Sequence, residues 1–325
     1  MARSCSTSKG IVFLALLGDL LVATTKVIAA IITGSAAMMS EAIHSLVDST
    51  NECLLLHGFK MSLRRPDAIH PLGYGRELYF WSFIVALLLF GLGAGASLYH
   101  GVQHIIEPTA IDHPLVNYVV LAFAFVFEGV SWVAAFRKLR STRGELTYWQ
   151  AIHRSKDPPS FMVLFEDSAA LAGNVIAALG IYFSQALNLP VLDGVASVLI
   201  GLILAIVAGI LTRESKSLLI GERANPSLVA AAVGLAEATP GVSKANGALT
   251  VHLAPNQILA ALSVEFVDGL ESRQIELCVE SIEQRILDVY PEIVTLFIKP
   301  QTNTRYQEWR TRQFGPADLQ SAPAS

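Results

Sequence analysis

Apolar residues fill six stretches near 10–33, 36–59, 79–102, 115–136, 161–185 and 193–212. Each holds about 20 residues or more, enough for a helix to cross roughly 30 Å of hydrocarbon. After Thr212 the pattern changes, and charges interleave with apolar positions as in a water-facing domain. There the periods predict a helix over 226–237, strands over 248–253 and 258–266 joined by a turn at 254–257, and a last strand over 293–298. A helix over 272–289 carries an apolar stripe at Ile275, Val279, Ile282 and Ile286. Residues 315–325, rich in Pro, Ala and Ser, predict disorder. The predicted fold is an all-α six-helix transmembrane domain over 1–213, a small cytoplasmic α+β domain (αββαβ) over 214–310, and a disordered tail over 311–325.

Composition agrees with a membrane protein: 53% hydrophobic, 15% charged, mean hydropathy +0.50. The first apolar run is too long for a cleavable signal and carries Asp19 and Lys26, so it reads as a retained span. Basic residues set the orientation. Lys60, Arg64, Arg65 and Arg76 follow the second span, and Arg137, Lys138, Arg140, Arg143, Arg154 and Lys156 follow the fourth. The links between spans 1–2, 3–4 and 5–6 contain no Lys or Arg, which predicts both termini in the cytoplasm. The chain up to Arg213 balances at 14 basic against 14 acidic residues, so the net charge of −4 belongs to the tail. Neither part has the basic excess of a nucleic-acid binder. Cys5, Cys53 and Cys278 are scattered without CxxC spacing and predict neither disulfides nor a thiolate metal site.

The second span carries Glu41-Ala-Ile-His44-Ser-Leu-Val-Asp48. At 3.6 residues per turn, Glu41, His44 and Asp48 share one helix face, with Asn51 and Glu52 continuing it. Ionisable groups in hydrocarbon cost several kcal/mol and need a partner or a task. Imidazole and carboxylate at this spacing form half of a divalent-metal site; the alternative is a polar pair that joins helices. The fifth span holds a second cluster, Glu166-Asp167-Ser168, with Gly173 and Asn174 beyond it. Glu166 stands close enough to Pro158 and Pro159 to read as an interfacial cap, whereas Asp167 is one residue deeper. Asp19 and Lys26 answer each other or polar groups on the second span. Gly91 and Gly95 form a GxxxG that predicts close helix approach. Asp193 reads as the cap of the sixth span. Asp67 and His70 sit in a Pro/Gly-dense loop that reads as a helix-capping turn rather than a metal site.

Taken in order, Thr33-Gly-Ser-Ala-Ala-Met-Met-Ser-Glu-Ala-Ile-His-Ser-Leu-Val-Asp48, His70-Pro-Leu-Gly-Tyr-Gly75, Gly93-Ala-Gly-Ala-Ser-Leu-Tyr-His-Gly101, Val163-Leu-Phe-Glu-Asp-Ser-Ala-Ala170 and Leu218-Leu-Ile-Gly-Glu222 resemble the cation diffusion facilitator family, most like its zinc transporter 9-like branch. The resemblance covers roughly residues 9–300. It implies a homodimer in the bilayer that moves zinc or a similar divalent cation out of the cytoplasm against protons, with no prosthetic group and no enzymatic role. It maps His44 and Asp48 onto the ligands of the second span and Asp167 onto one ligand of the fifth. The family's fourth ligand falls at Val163, which cannot coordinate; Glu166, Glu41 or water could supply the missing oxygen. The family's loop site finds too few ligands, since Tyr74 stands where a His is common. The tail, with His252 as its only histidine, is expected to dimerise by packing.

One imidazole with two or three carboxylates favours zinc over magnesium or calcium, and cobalt, iron(II), manganese and cadmium are compatible. A bidirectional divalent-metal exchanger would share the ligands. A transporter-like regulatory or scaffold protein is the reading that Val163 suggests. No HExxH motif is present to support an intramembrane metalloenzyme. A bacterial inner membrane is the expected location.

Overall fold

The computed structural model describes residues 2–144 and 146–318. The chain divides into two compact units, Met1–Leu219 and Ile220–Ser325.

The first unit is helical: α1 (Ala2–Thr33), α2 (Ala36–Ser62), α3 (Glu77–Leu88), α4 (Gly95–Ile106), α5 (Pro114–Thr142), α6 (Tyr148–Arg154), α7 (Pro158–Ala186) and α8 (Val191–Ile220). A π-helical turn at Leu89–Ala94 joins α3 to α4, so the two form one continuous 30-residue span. Among the described residues, five helical stretches are long and apolar enough to cross a membrane. The sixth expected span, α2, is 27 residues long and falls short in apolarity because it carries Glu41, His44, Asp48, Asn51 and Glu52. α2 is enclosed by α1, α3, α4 and α7 and hides its polar face among them. The short α6, which the sequence reading missed, is closed by a capping box between Thr147 and Gln150.

Gly34 turns the chain between α1 and α2 at φ +68°. Ser35 then caps α2, its hydroxyl accepting from the Met38 N–H at 3.2 Å. The close helix approach expected at Gly91 and Gly95 lies elsewhere. A Cβ on Gly91 would meet nothing within 4 Å, whereas one on Gly101 would stand 2.7 Å from the Val198 nitrogen and 2.9 Å from the Gly194 carbonyl. Gly194 and Gly201 meet α4 just as tightly. The small-residue seam therefore runs between α4 and α8, and Gly91 belongs to the π turn.

Between α2 and α3, Asp67 accepts from the Ile69 and His70 N–H groups at 2.9 and 2.7 Å and from the Tyr74 hydroxyl at 2.6 Å. The Arg64 guanidinium lies over the Tyr74 ring. The Tyr74 hydroxyl, then the His70 N–H, hold the Asp67 carboxyl down at about 2. This is a hydrogen-bonded turn closed on itself; its side-chain bonds stay within the loop, and the start of α3 has no side-chain cap, so the helix-capping role read from the sequence is not seen.

The second unit holds α9 (Pro226–Glu237), β1 (Val242–Ala254), β2 (Gln257–Phe266), α10 (Ser272–Val289), β3 (Ile293–Pro300) and α11 (Asn303–Asp318). The sheet order is β1-β2-β3, with β1 antiparallel and β3 parallel to β2. Ile282 and Ile286 bury the apolar stripe of α10 against Ala232, Ala236, Leu262 and Val264. The αββαβ order matches the prediction, although β1 starts six residues earlier than the sequence pattern suggested. The expected disordered tail needs correction at its start: residues 311–318 continue α11, with a break at Gly315 (φ 73°). Its remainder, 319–325, lies outside the described residues.

Candidate metal centre

The polar face of α2 divides into two groups. The first gathers around Lys26 of α1, which is fully buried. Its Nζ donates to Glu41 Oε2 at 2.9 Å and to Glu128 Oε1 of α5 at 2.8 Å. Asn174 of α7 donates to the other Glu128 oxygen at 2.5 Å. Gly173 makes room for this cluster, because a Cβ there would strike the Glu41 carboxylate. Glu41, considered from the sequence as a stand-in metal ligand, is thus turned to Lys26, and Lys26 answers α2 and α5 rather than Asp19.

The second group lies one to three turns further along α2. His44 is 1% exposed, and both of its ring nitrogens lack a hydrogen-bond partner. Asn51 Nδ2 donates across to Glu166 Oε1 of α7 at 2.8 Å. Glu166 is 3% exposed and also hydrogen-bonds the Asp48 side chain, so it points into the bundle and does not cap α7. Asp167, 8% exposed, faces α5, where its side chain meets Ser131; its Oδ2 has no partner. Asp19 of α1 hydrogen-bonds Glu52 of α2 beside them. Neighbours on a helix point about 100° apart, which is why Glu166 reaches α2 while Asp167 reaches α5.

Four carboxyl groups (Asp19, Glu52, Glu166 and Asp167) therefore gather around a fifth, Asp48, one helical turn along α2 from the buried His44 ring. Among the described residues none of the five is ion-paired to a Lys or Arg. Among the described residues, too, no three His, Cys, Asp or Glu side chains stand close enough to hold one ion together. The residues are neighbours on facing helices whose donor atoms are not drawn in. Buried anions without a cation are costly, so the arrangement suits a passing cation or protons. Val163, where the family places a ligand, is half-buried on α7.

The sequence reading missed what holds the far end of α2. Asp193 of α8 is fully buried and does not cap its own helix. Its carboxylate accepts from Ser35 Oγ at 2.8 Å and from the Ala36 N–H at 2.5 Å, capping α2 instead. His104 of α4 lies beside it, Nε2 to Oδ2 3.6 Å. Ser40 and Ser197 join α2 to α8 at 2.7 Å, and Ser197 donates on to the Ser97 carbonyl of α4.

A helical bundle with this polar α2 face is the architecture of a membrane cation carrier. The cation efflux transmembrane domain matches residues 12–220, and the chain belongs to that family, the cation diffusion facilitators. It is 34% identical over 268 residues to the mitochondrial proton-coupled zinc antiporter SLC30A9 of Xenopus laevis, covering 80% of this chain and 48% of that protein. The human antiporter of the same name is 31% identical over 287 residues, 86% of this chain and 50% of that one. Metal tolerance protein C4 of Arabidopsis thaliana is 35% identical over 191 residues, 58% and 42% of the two chains. The chain spans about half the length of these relatives.

Proposed function

We propose that the chain exports divalent cations, zinc above all, from the cytoplasm in exchange for protons by alternating access. The observation that carries this reading is the gathering of Asp19, Glu52, Glu166 and Asp167 around Asp48, none of them ion-paired to Lys or Arg among the described residues, one turn from a buried His44 ring with no hydrogen-bond partner. His44 and Asp48 supply the α2 ligands. Glu166 takes the place left by Val163, and Asp167 completes the set when α5 and α7 shift relative to α2. One imidazole and carboxylate oxygens in tetrahedral order fit zinc. Each ligand must be deprotonated to bind metal, so protons and metal compete for the same groups. Metal entering from the cytoplasm displaces a proton, the helices rock, and protons from the far side release the ion. The relatives from Xenopus laevis and human are proton-coupled zinc antiporters by name, which supports this reading.

The distribution of Lys and Arg supports a multi-pass protein with both termini on the cytoplasmic side, in our reading of a bacterial inner membrane. A homodimer is supported by an apolar row across the open sheet face of the second unit. Leu249, Ala261 and Phe297 stand in register, with Leu249 and Phe297 exposed. That row offers a second copy a surface without any metal ligand.

In proteoliposomes, an imposed zinc gradient should drive proton movement in the unmodified protein and none in Asp48→Ala. Equal exchange by both would remove the assignment. Val163 favours one competing reading, a transporter-like regulatory or scaffold protein; absence of zinc binding by calorimetry would select it. Flux that reverses freely with the pH gradient would select a bidirectional exchanger.

A further inference from the structure

The end of the bundle that the basic-residue pattern places away from the cytoplasm contains a second group of metal-binding side chains. A cleft of about 240 Å³ opens there between the α1–α2 turn and the last turns of α4. Ser35, Met39, His100, His104 and Glu107 line it. His100, His104 and Glu107 fall at i, i+4 and i+7, so they share one helix face. His104 is 9% exposed and its Nε2 has no hydrogen-bond partner. Its nearest charged neighbour is Asp193 Oδ2 at 3.6 Å. That separation is too long for a hydrogen bond. It is about the edge of a tetrahedral zinc site, since bonds of roughly 2.0–2.2 Å to nitrogen and oxygen put two ligands about 3.4 Å apart. Asp193 accepts from Ser35, Ala36 and the Ala37 N–H, and a carboxylate has about four acceptor positions, so one is left.

We propose that His104 and Asp193, joined by His100 or Glu107, form a release site for a zinc-like divalent cation. His104 and Asp193 are the fixed pair, locked by burial. His100 and Glu107 are exposed side chains that swing in from the cleft, which is why no three donors are grouped beforehand. Two imidazoles with carboxylate oxygens select zinc or cobalt over magnesium and calcium. Met39 in the cleft wall lies five residues, about 7.5 Å of helical rise, from His44 on the same helix. Asp193 holds Ser35 and Ala36, eight to nine residues or about 12–13 Å of helical rise from His44, so the new site stands further along α2 toward the cleft. Its role as a release site rests on the transport reading, but its ability to bind metal does not.

The test uses full-length protein in nanodiscs carrying Asp48→Ala, which removes the α2 site. Cobalt titration followed by visible absorption, with zinc competition by calorimetry, should show one equivalent still bound. Adding His100→Ala and Glu107→Gln, two exposed positions that leave the packing intact, should weaken it at least tenfold. In the unmodified chain zinc should protect His100 from diethyl pyrocarbonate. No binding in Asp48→Ala, or binding indifferent to the two added substitutions, overturns the proposal. Persistent zinc transport by Asp48→Ala together with binding lost in the combined variant would sink the α2 assignment alone and leave this site standing.

Discussion

Glu166 and Asn51 are joined by a 2.8 Å hydrogen bond across α7 and α2, deep in the bundle. The bond turns the Glu166 carboxylate toward α2, where it also meets Asp48; in the proposed function it replaces the ligand missing at Val163. Glu166→Gln should keep the packing yet lower zinc affinity by at least about tenfold, the loss that second-shell changes alone produce at metal sites. Asn51→Ala should give a smaller loss in the same direction. Zinc calorimetry on the purified protein checks both, and unchanged affinity in Glu166→Gln would assign the fourth ligand elsewhere.

Lys26 holds two buried carboxylates at once. Lys26→Met strands Glu41 and Glu128 and should destabilise the protein by about 3–5 kcal/mol, the usual result of breaking a buried ion pair from one side. Adding Glu41→Gln should recover part of that loss. Thermal unfolding in detergent measures both variants. A Lys26→Met protein as stable as the original would show that the triad contributes nothing to the fold.

The α4–α8 seam predicts a steric effect. Gly194→Ala places a Cβ 2.9 Å from the Gly101 carbonyl and 3.0 Å from the Ile105 nitrogen. The backbones must separate, at a cost of about 1–3 kcal/mol for an overpacked contact. Gly91→Ala, which meets nothing within 4 Å, should be near neutral and is the matched control.

The polar face of α2 was legible in the sequence because charged side chains in an apolar helix announce themselves, and a period of 3.6 puts Glu41, His44 and Asp48 together. Their partners were not. Lys26 lies 15 residues from Glu41 and 102 from Glu128, so choosing it over Asp19 needs the packed bundle. Asp193 was misread for a local reason. A carboxylate near a helix start has one sequence signature whether it caps its own helix or a neighbour's. Residues 311–318 look structureless by composition, yet α11 packs Tyr306 onto Gly247 of the sheet and carries the chain onward. The αββαβ order followed from periodicity alone, since alternation and stripe are local properties.

The loop after α2 should respond to acid. Asp67 is held at about 2, below its ordinary 3.8, first by the Tyr74 hydroxyl. A depressed carboxyl stabilises the turn above its unfolded value, and that contribution is lost as pH falls from about 4 to about 2. Tyr74→Phe removes the largest cause, so the turn should loosen at a higher pH. Hydrogen exchange at the Ile69 and His70 amides reports this, and identical acid profiles would contradict it.

The central claim is that a dication compensates imidazole and carboxyl groups brought together from α2 and α7. Zinc-edge X-ray absorption with one equivalent of zinc, on the full chain carrying His100→Ala and Glu107→Gln so that the second site does not compete, tests it most directly. The account predicts a first shell of nitrogen and oxygen at about 2.0–2.2 Å, with an imidazole signature that disappears in His44→Ala. Sulfur ligation, or a spectrum unchanged by His44→Ala, would contradict it.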